Sequence, residues 1–168
     1  MENNKSLKDA EAQVLREELS RVLSGKGAHA DFEAAVHDFP VEQRGAKPAG
    51  APHSAWELLE HLRIAQRDML EFSRNAKHES PAWPSGYWPP QPQPPDDGAW
   101  DRSVAQFRAD LQEMQRLVAD PSSDLFTRFP HGEGQSLLRE ALQVADHNAY
   151  HVGELIFLRR LLGAWKPS

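Results

Sequence analysis

The sequence contains no cysteine among its 168 residues. Disulfide bonds, zinc sites built from thiolates and a cysteine nucleophile are therefore excluded together. An excess of positive charge is also lacking. The 25 Asp and Glu residues outnumber the 19 Lys and Arg residues, and the formal net charge is -6. Nucleic-acid binding requires a concentrated basic face that neutralises phosphates. We therefore expect no nucleic-acid partner.

Long apolar runs are missing as well. No stretch approaches the roughly 20 apolar residues that a membrane-spanning helix needs, so we expect no membrane partner. The opening residues "MENNKSLKDAEAQ" are polar and lack the apolar core of a secretory signal, which indicates a cytoplasmic protein. With 39% hydrophobic and 26% charged residues, the composition is ordinary for one globular domain. We expect that single domain to span residues 1–168.

Four long segments carry apolar residues at every third or fourth position, which is the spacing of an amphipathic helix. The second segment has the clearest start signal, because Ser54 and Glu57 form the pattern of a capping box. With no convincing strand, the pattern predicts an all-α protein, a four-helix bundle. The predicted long helices run from Ser6 to about Ser24, from Ala55 to about Asn75, from Trp100 to about Val118 and from about Gln135 to Leu162, with a short helix from about Asp31 to His37.

A segment rich in proline and tryptophan joins the second and third long helices. Seven prolines fall between Pro81 and Pro95, and they exclude both an α-helix and a central strand. We therefore expect a stiff, extended connection. About 20 residues at a rise of roughly 3.1 Å reach some 60 Å, whereas the second helix is only about 35 Å long. Such a crossover permits the second and third long helices to lie parallel.

Two histidines lie four residues apart in the fourth long helix, where the stretch "DHNAYHVGEL" contains His147 and His151. Side chains at this spacing lie one above the other, so both imidazoles can reach one metal ion. Chance alone gives about 0.4 such pairs in a chain with this histidine content, so ordinary core or surface histidines are the alternative. The pair lies at the edge of the apolar face of its helix and points into or along the bundle.

His61 is the best third ligand, since it lies in the middle of the second helix, at the edge of the apolar stripe. With His147 and His151 it predicts a metal site of three histidines from two helices. The remaining five histidines fall in predicted loops or at helix ends and suit a site less well, although two of them, His53 and His131, stay open. The five are His29, His37, His53, His78 and His131.

Two glutamates lie close to these histidines along their helices. Glu154 follows His151 by three residues and Glu57 precedes His61 by one turn, so either carboxylate can orient a ligand imidazole or supply a fourth oxygen. Asp68 follows His61 by two turns and can do the same. For Glu57 we favour the capping-box role, and for Asp68 we favour a surface charge. Glu154 stays open between the two roles.

An aromatic cluster lies in and after the crossover. It can form the wall of a substrate cleft, but such residues more often attach a long loop to a bundle, which is the interpretation we favour. Tyr150 in the fourth helix can reach the same cleft or simply pack. The cluster comprises Trp83, Tyr87, Trp88 and Trp100.

The segments "HSAWELLEHLRIAQRDMLEF" and "GEGQSLLREALQVADHNAYHVGELIFLRRLLGAW", with the Trp- and Pro-rich crossover between them, resemble the DinB-like superfamily. This superfamily of damage-inducible proteins includes bacillithiol transferases and is related to mycothiol-dependent enzymes. The resemblance implies an up-down-down-up bundle, often dimeric, in which His61, His147 and His151 hold a divalent metal ion. The sequence departs from its relatives at Glu154, where they commonly have Gln.

Three neutral imidazoles would leave coordination positions of the metal open, as in catalytic rather than structural sites. A metal held in this way can lower the pKa of a bound water or bind a thiol as thiolate. The resemblance implies the thiol chemistry, in a transferase or detoxification enzyme that acts on a low-molecular-weight thiol or a small electrophilic substrate. A metal-dependent hydrolase and a non-enzymatic, stress-associated metal-binding bundle are the alternatives. We expect one divalent ion per chain, zinc or nickel before other metals that imidazole suits, and a homodimer.

Overall fold

The computed structural model describes the chain from residue 2 to residue 165, with side chains from residue 10 onward. This part of the chain is all-helical, as the sequence predicts. No strand forms in the described residues, where β-type pairing is limited to an isolated bridge between Arg128 and Ser136. The α-helices are α1 (Glu2–Leu23), α2 (Phe32–Val36), α3 (Ala55–Arg74), α4 (Ala99–Ala119) and α5 (Leu137–Leu161).

Local hydrogen bonds determine where α3 and α5 begin. The Ser54 hydroxyl accepts a hydrogen bond from the backbone N–H of Glu57 at 3.2 Å, and the Glu57 carboxylate accepts one from the backbone N–H of Ser54 at 2.7 Å. This reciprocal pair confirms the predicted start of α3. The Ser136 hydroxyl caps α5 by accepting from the backbone N–H of Arg139. Gly163 follows the end of α5 with a φ of 69°, a left-handed conformation that glycine adopts without strain.

The long helices bury their apolar faces against one another. α3 packs against both α4 and α5, and α1 packs against the same two helices. Two clusters of buried side chains fill the interior, and Leu111 contacts both of them. Each large apolar side chain buried in this way stabilises the fold by about 1.5–3 kcal/mol. The largest fully buried apolar residues are Trp100, Phe107, Leu59, Leu62, Leu70, Met114, Leu125, Leu155, Val118 and Val144.

One buried amide joins three of these helices. Gln66 in α3 is completely buried, and a buried amide needs hydrogen-bond partners. Its Nε2 donates to the carbonyl of Phe107 in α4 at 2.7 Å, and its Oε1 accepts from Nδ2 of Asn148 in α5 at 2.7 Å. Because Asn148 follows His147 directly, this contact helps to fix the height of the two α5 histidines relative to α3.

The connection between α3 and α4 folds onto α3. A turn of 3-10 helix, Ser85–Tyr87, interrupts it and packs against α3, so the expectation of an extended segment is wrong at this point. Prolines exclude an α-helix here, but a short turn needs only a bond such as that from the Tyr87 N–H to the Pro84 carbonyl at 3.2 Å. Glycine is required inside the turn, because a Cβ on Gly86 would lie 2.8 Å from the Cβ of Pro81.

Among the described helices, none has both the length and the apolar character that crossing a bilayer requires.

Candidate metal centre

Three histidines from two helices meet at one point. His61 is buried in α3, and His147 and His151 project from successive turns of α5. Nε2 of His61 lies 3.1 Å from Nε2 of His147 and 3.1 Å from Nε2 of His151. One nitrogen of each ring lies within 4.8 Å of those of the other two. The structure therefore brings together the three histidines that the sequence analysis selects.

The spacing of these nitrogens suits a divalent metal ion. Two nitrogens 3.1 Å apart, each at roughly 2.0–2.1 Å from an ion, subtend an angle of about 100° at that ion. This angle lies between the tetrahedral and octahedral values. Three imidazoles in this arrangement could hold an ion on one side and leave its other positions open.

Hydrogen bonds orient two of the three rings. Nδ1 of His61 lies 3.0 Å from the backbone carbonyl of Tyr87, and Nδ1 of His151 lies 2.6 Å from Oε2 of Glu154. Both partners are acceptors, so the shared proton is assigned to Nδ1 in each ring. The Nε2 lone pairs then face the centre of the cluster, which is the orientation that ligand histidines need.

Burial keeps the three imidazoles neutral. Removal from water and, to a smaller extent, the neighbouring histidines His151 and His61 together lower the pKa of His147 to about 4. Burial likewise lowers the pKa of His151 to about 4, and it lowers the pKa of His61. A protonated imidazole cannot bind a metal, so these shifts keep all three lone pairs available at neutral pH.

Trp88 from the α3–α4 connection packs flat on the outer face of His61. Their ring centroids lie 4.0 Å apart with an interplanar angle of 2°, and His53 stacks on Trp88 at 3.9 Å and 15°. His53, which the sequence left open, is therefore near the centre only through the Trp88 ring. It does not belong to the group of three converging nitrogens found in the described residues.

A cleft of about 340 Å³ opens on the three histidines. Trp83 and Tyr87 line it, as the alternative cleft-wall interpretation of the aromatic cluster requires. The remaining lining residues come from α3 and α5. Besides the three histidines they comprise three uncharged side chains and one carboxylate. They are Ala65, Asp68, Met69 and Gln143.

Comparison with protein families places this arrangement in a known group. A family model described as the DinB superfamily matches residues 26–155. The chain belongs to the DinB superfamily. The match includes all of α2, α3 and α4 and most of α5, so the three histidines lie inside the part of the chain that carries the DinB pattern. Comparison with curated proteins and with solved structures gives no match.

Asp68 of this DinB protein has contacts that contradict its interpretation as a surface charge. Its side chain is only 13% exposed. Oδ2 accepts a hydrogen bond from the Tyr87 hydroxyl at 2.6 Å, and Oδ1 lies 2.6 Å from Nε2 of His78. The sequence holds one signal for this position, since Asp68 follows His61 by seven residues and therefore lies on the same face of α3, two turns further on. The partners come from the α3–α4 connection, whose course the helical pattern does not predict.

The two glutamates named from the DinB sequence have different surroundings. Glu57 forms the capping box and an ion pair with Lys47 at 2.8 Å, and the structure does not place it among the converging nitrogens. Glu154 contacts the outer nitrogen of His151 instead. Of the two roles left open for Glu154, orientation of a ligand imidazole matches this contact.

The remaining candidates lie away from the cleft or at its edge. Trp100 is buried in the core, where it packs against Phe39. Tyr150 is 65% exposed, and its ring meets His151 edge-on at 4.9 Å, but it does not line the cleft. His131 bonds to the backbone carbonyl of Phe72. The four residues of the aromatic cluster therefore have different positions. Trp83 and Tyr87 line the cleft, Trp88 stacks on His61 and Trp100 lies in the core.

Proposed function

We propose that this DinB-superfamily protein binds one divalent metal ion through Nε2 of His61, His147 and His151. We further propose that it is an enzyme that uses the ion to activate a thiol or a water. The convergence of three neutral imidazole nitrogens at the base of an open cleft is the observation that carries the proposal. Zinc or nickel is the proposed metal, since both accept imidazole ligands.

A bound divalent ion would supply Lewis-acid chemistry, which lowers the pKa of a water or thiol at an open coordination position. The protein supplies the geometry. The Tyr87 carbonyl and the Glu154 carboxylate accept hydrogen bonds from Nδ1 of His61 and of His151, respectively. Both rings are therefore held in the tautomer whose Nε2 lone pair is free to bind the metal. Trp88 covers His61 and keeps water from its outer face.

We favour a thiol transferase of the detoxification type over a hydrolase. The resemblance to thiol-dependent relatives supports this choice, and so do the apolar Met69 and Ala65 and the aromatic Trp83 in the cleft wall. Such a wall suits a small organic thiol and a small electrophilic substrate. A hydrolase would use the same histidines with water, and a non-enzymatic role would use the metal for structure alone.

The proposed topology is an up-down-down-up bundle in a single domain. Two contacts between α3 and α4 support a parallel pair, because Glu60 meets Ser103 and, about two turns further along both helices, Arg67 meets Asp110. Contacts between α3 and α5 run in the opposite sense, since His61 meets His151 whereas the later Gln66 meets the earlier Asn148. Arg16 of α1 donates to the carbonyl of Val118 near the end of α4, whereas the later Val22 lines one cavity with the earlier Phe107. This order supports an α1 antiparallel to α4.

We also propose that two copies associate through α5. Three large apolar side chains, Tyr150, Phe157 and Leu161, stay between 51% and 65% exposed on this helix. Their spacings of seven and four residues place them on one face. Exposed apolar residues that share a face favour association with a partner.

Elemental analysis of purified protein tests the metal proposal. The protein should contain about one divalent ion per chain, and the substitutions His61→Ala and His147→Ala should each remove it. His37→Ala is the matched control, since His37 is an exposed histidine outside the cluster, and this variant should keep the ion. Retention of the ion in both site variants would overturn the assignment.

Spectroscopy and activity assays separate the three functions. Addition of a small thiol to cobalt-loaded protein should produce a sulfur-to-cobalt charge-transfer band, and the loaded protein should then catalyse transfer of that thiol to an electrophile. Cleavage of esters or amides without the band would favour the hydrolase. Metal binding without either activity would favour the non-enzymatic bundle.

A further inference from the structure

The cleft over the histidines holds charge of only one sign. Asp68 is its carboxylate, and among the described residues that line the cleft none is Lys or Arg. Arg139 lines a separate surface groove that shares only Gln143 with the cleft and also contains Asp146. An anionic group that entered the cleft would therefore meet a carboxylate and no basic partner.

Two hydrogen-bond contacts hold the Asp68 carboxylate in place. The Tyr87 hydroxyl donates to one oxygen, and Nε2 of His78 lies against the other.

Glu154 places a second carboxylate beside the three imidazoles, since its Oε2 lies 2.6 Å from Nδ1 of His151. A divalent ion would bring two positive charges, and Asp68 and Glu154 already supply two negative charges. With a metal ion bound, the centre would therefore attract an anionic substituent of a thiol only weakly.

Aromatic faces at the mouth of the cleft add a preference for cations. Trp83 is 78% exposed, and its ring lies 5.5 Å from the Tyr87 ring at 63°. An indole face attracts an ammonium group placed within about 6 Å of it. Trp83 and Asp68 both line the cleft, so a small ammonium group in it would find an aromatic surface and a carboxylate together.

We infer that the cleft selects thiols that are uncharged or positively charged and disfavours anionic thiols, with Asp68 as the residue that sets this preference. The inference rests on the proposed function, since it assumes that a thiol enters the cleft. It names the class of thiol that the residues of this chain accept.

Binding of three small thiols to the cobalt-loaded protein tests the inference. Cysteamine carries an ammonium group, 2-mercaptoethanol is uncharged and thioglycolate carries a carboxylate. The charge-transfer band gives a dissociation constant for each. We expect thioglycolate to bind at least about tenfold more weakly than cysteamine, an effect of the size of one close charge pair at partial exposure.

Charge variants separate the effect of the cleft from the acidity of each thiol. Asp68→Asn should narrow the ratio of thioglycolate to cysteamine dissociation constants about fivefold, and Asp68→Glu should preserve it. Asp101→Asn is the matched control, because it removes the same charge from an exposed position in the first turn of α4, and it should leave the ratio unchanged. If Asp68→Asn does not fold, high salt on the unaltered protein should narrow the same ratio.

Two kinds of failure are distinguishable. A protein that binds metal but gives no band with any of the three thiols overturns the thiol function itself. Bands with all three thiols, but with thioglycolate bound as tightly as cysteamine or with a ratio that neither Asp68→Asn nor salt changes, overturn the charge preference and leave the thiol function standing.

Discussion

Nδ1 of His151 lies 2.6 Å from Oε2 of Glu154, which follows it by three residues on α5. The carboxylate therefore contacts the nitrogen opposite the one that faces His61. A carboxylate in this position fixes the tautomer of a ligand imidazole and raises its basicity. A glutamine amide at this position could also accept this hydrogen bond, but without the negative charge.

Substitution of Glu154 should change metal affinity according to its hydrogen-bonding capacity. Glu154→Gln keeps an acceptor for Nδ1 and should weaken metal binding only severalfold, whereas Glu154→Leu removes the acceptor and should weaken it about 10–100-fold. Competition with a chromophoric chelator measures both constants. Equal affinities for the unaltered protein and Glu154→Leu would show that the contact does not support the metal.

The metal-free protein should lose stability as the pH falls from 7 towards 5. Burial lowers the pKa of His147 and of His151 to about 4, whereas the unfolded chain has ordinary imidazoles that take up protons near pH 6.5. The unfolded state therefore binds more protons in this interval, so the free energy of unfolding decreases with decreasing pH. Thermal unfolding in the presence of a chelator should show a Tm lower by several degrees at pH 5.

His147→Asn provides the control for this acid effect, because it removes one of the two imidazoles with a lowered pKa and keeps a polar side chain. Its decrease in Tm between the same two pH values should be smaller. An identical decrease in both proteins would assign the effect to other titrating groups.

Tyr87 should ionise at unusually high pH. Burial, followed by the hydrogen bond to Asp68 and its negative charge, raises the pKa of Tyr87 to about 12. The chain has two tyrosines, so the variant Tyr150→Phe reports on Tyr87 alone. Phenolate absorbance recorded directly after a rapid pH jump should give a midpoint about two units above the ordinary value of about 10.

The raised pKa of Tyr87 also predicts how the stability of the fold changes at alkaline pH. The folded state holds the Tyr87 proton after the unfolded state has lost it, so stability that depends on this group decreases as the pH rises above about 10. Asp68→Asn should lower the midpoint towards the ordinary value. A midpoint near 10 in the Tyr150→Phe protein would contradict the buried contact with Asp68.

A charge on the outer face of α5 should prevent self-association. Phe157 is 62% exposed, and Phe157→Glu would place a charge at the centre of the proposed interface, where it would lose hydration on association. Light scattering should report a dimer for the unaltered protein and a monomer for the variant. Phe126→Glu, at a phenylalanine 60% exposed outside the helices, should leave the mass unchanged. A monomeric unaltered protein would refute the proposed dimer.

The helices and their faces follow from local pattern. Ser54 and Glu57 are three residues apart and satisfy each other's backbone and side-chain groups, so a capping box can be identified without any distant contact. Apolar periodicity placed His61, His147 and His151 at the edge of buried faces. Helix α3 was therefore correctly predicted to begin after Ser54, and the three candidate ligands were correctly expected to lie close together.

Contacts from the α3–α4 connection did not follow from that pattern. Prolines excluded regular structure there, but they do not specify where a chain without periodicity lies. The contacts of Tyr87 with Asp68 and of Trp88 with His61 join residues 19 and 27 positions apart. Asp68 was misread as a surface charge because its burial depends on those contacts.

The sequence by itself determined the all-helical class, the position of each long helix and the three histidines, because these depend on neighbours within a few turns. Only the tertiary structure decided that the nitrogens of His61, His147 and His151 converge, that Glu154 contacts the outer nitrogen of His151, and that Asp68 lies in the cleft. The physical reason is distance along the chain. The relative height and rotation of α3 and α5, and the course of the connection that covers them, are set by side-chain packing between segments that no local period relates.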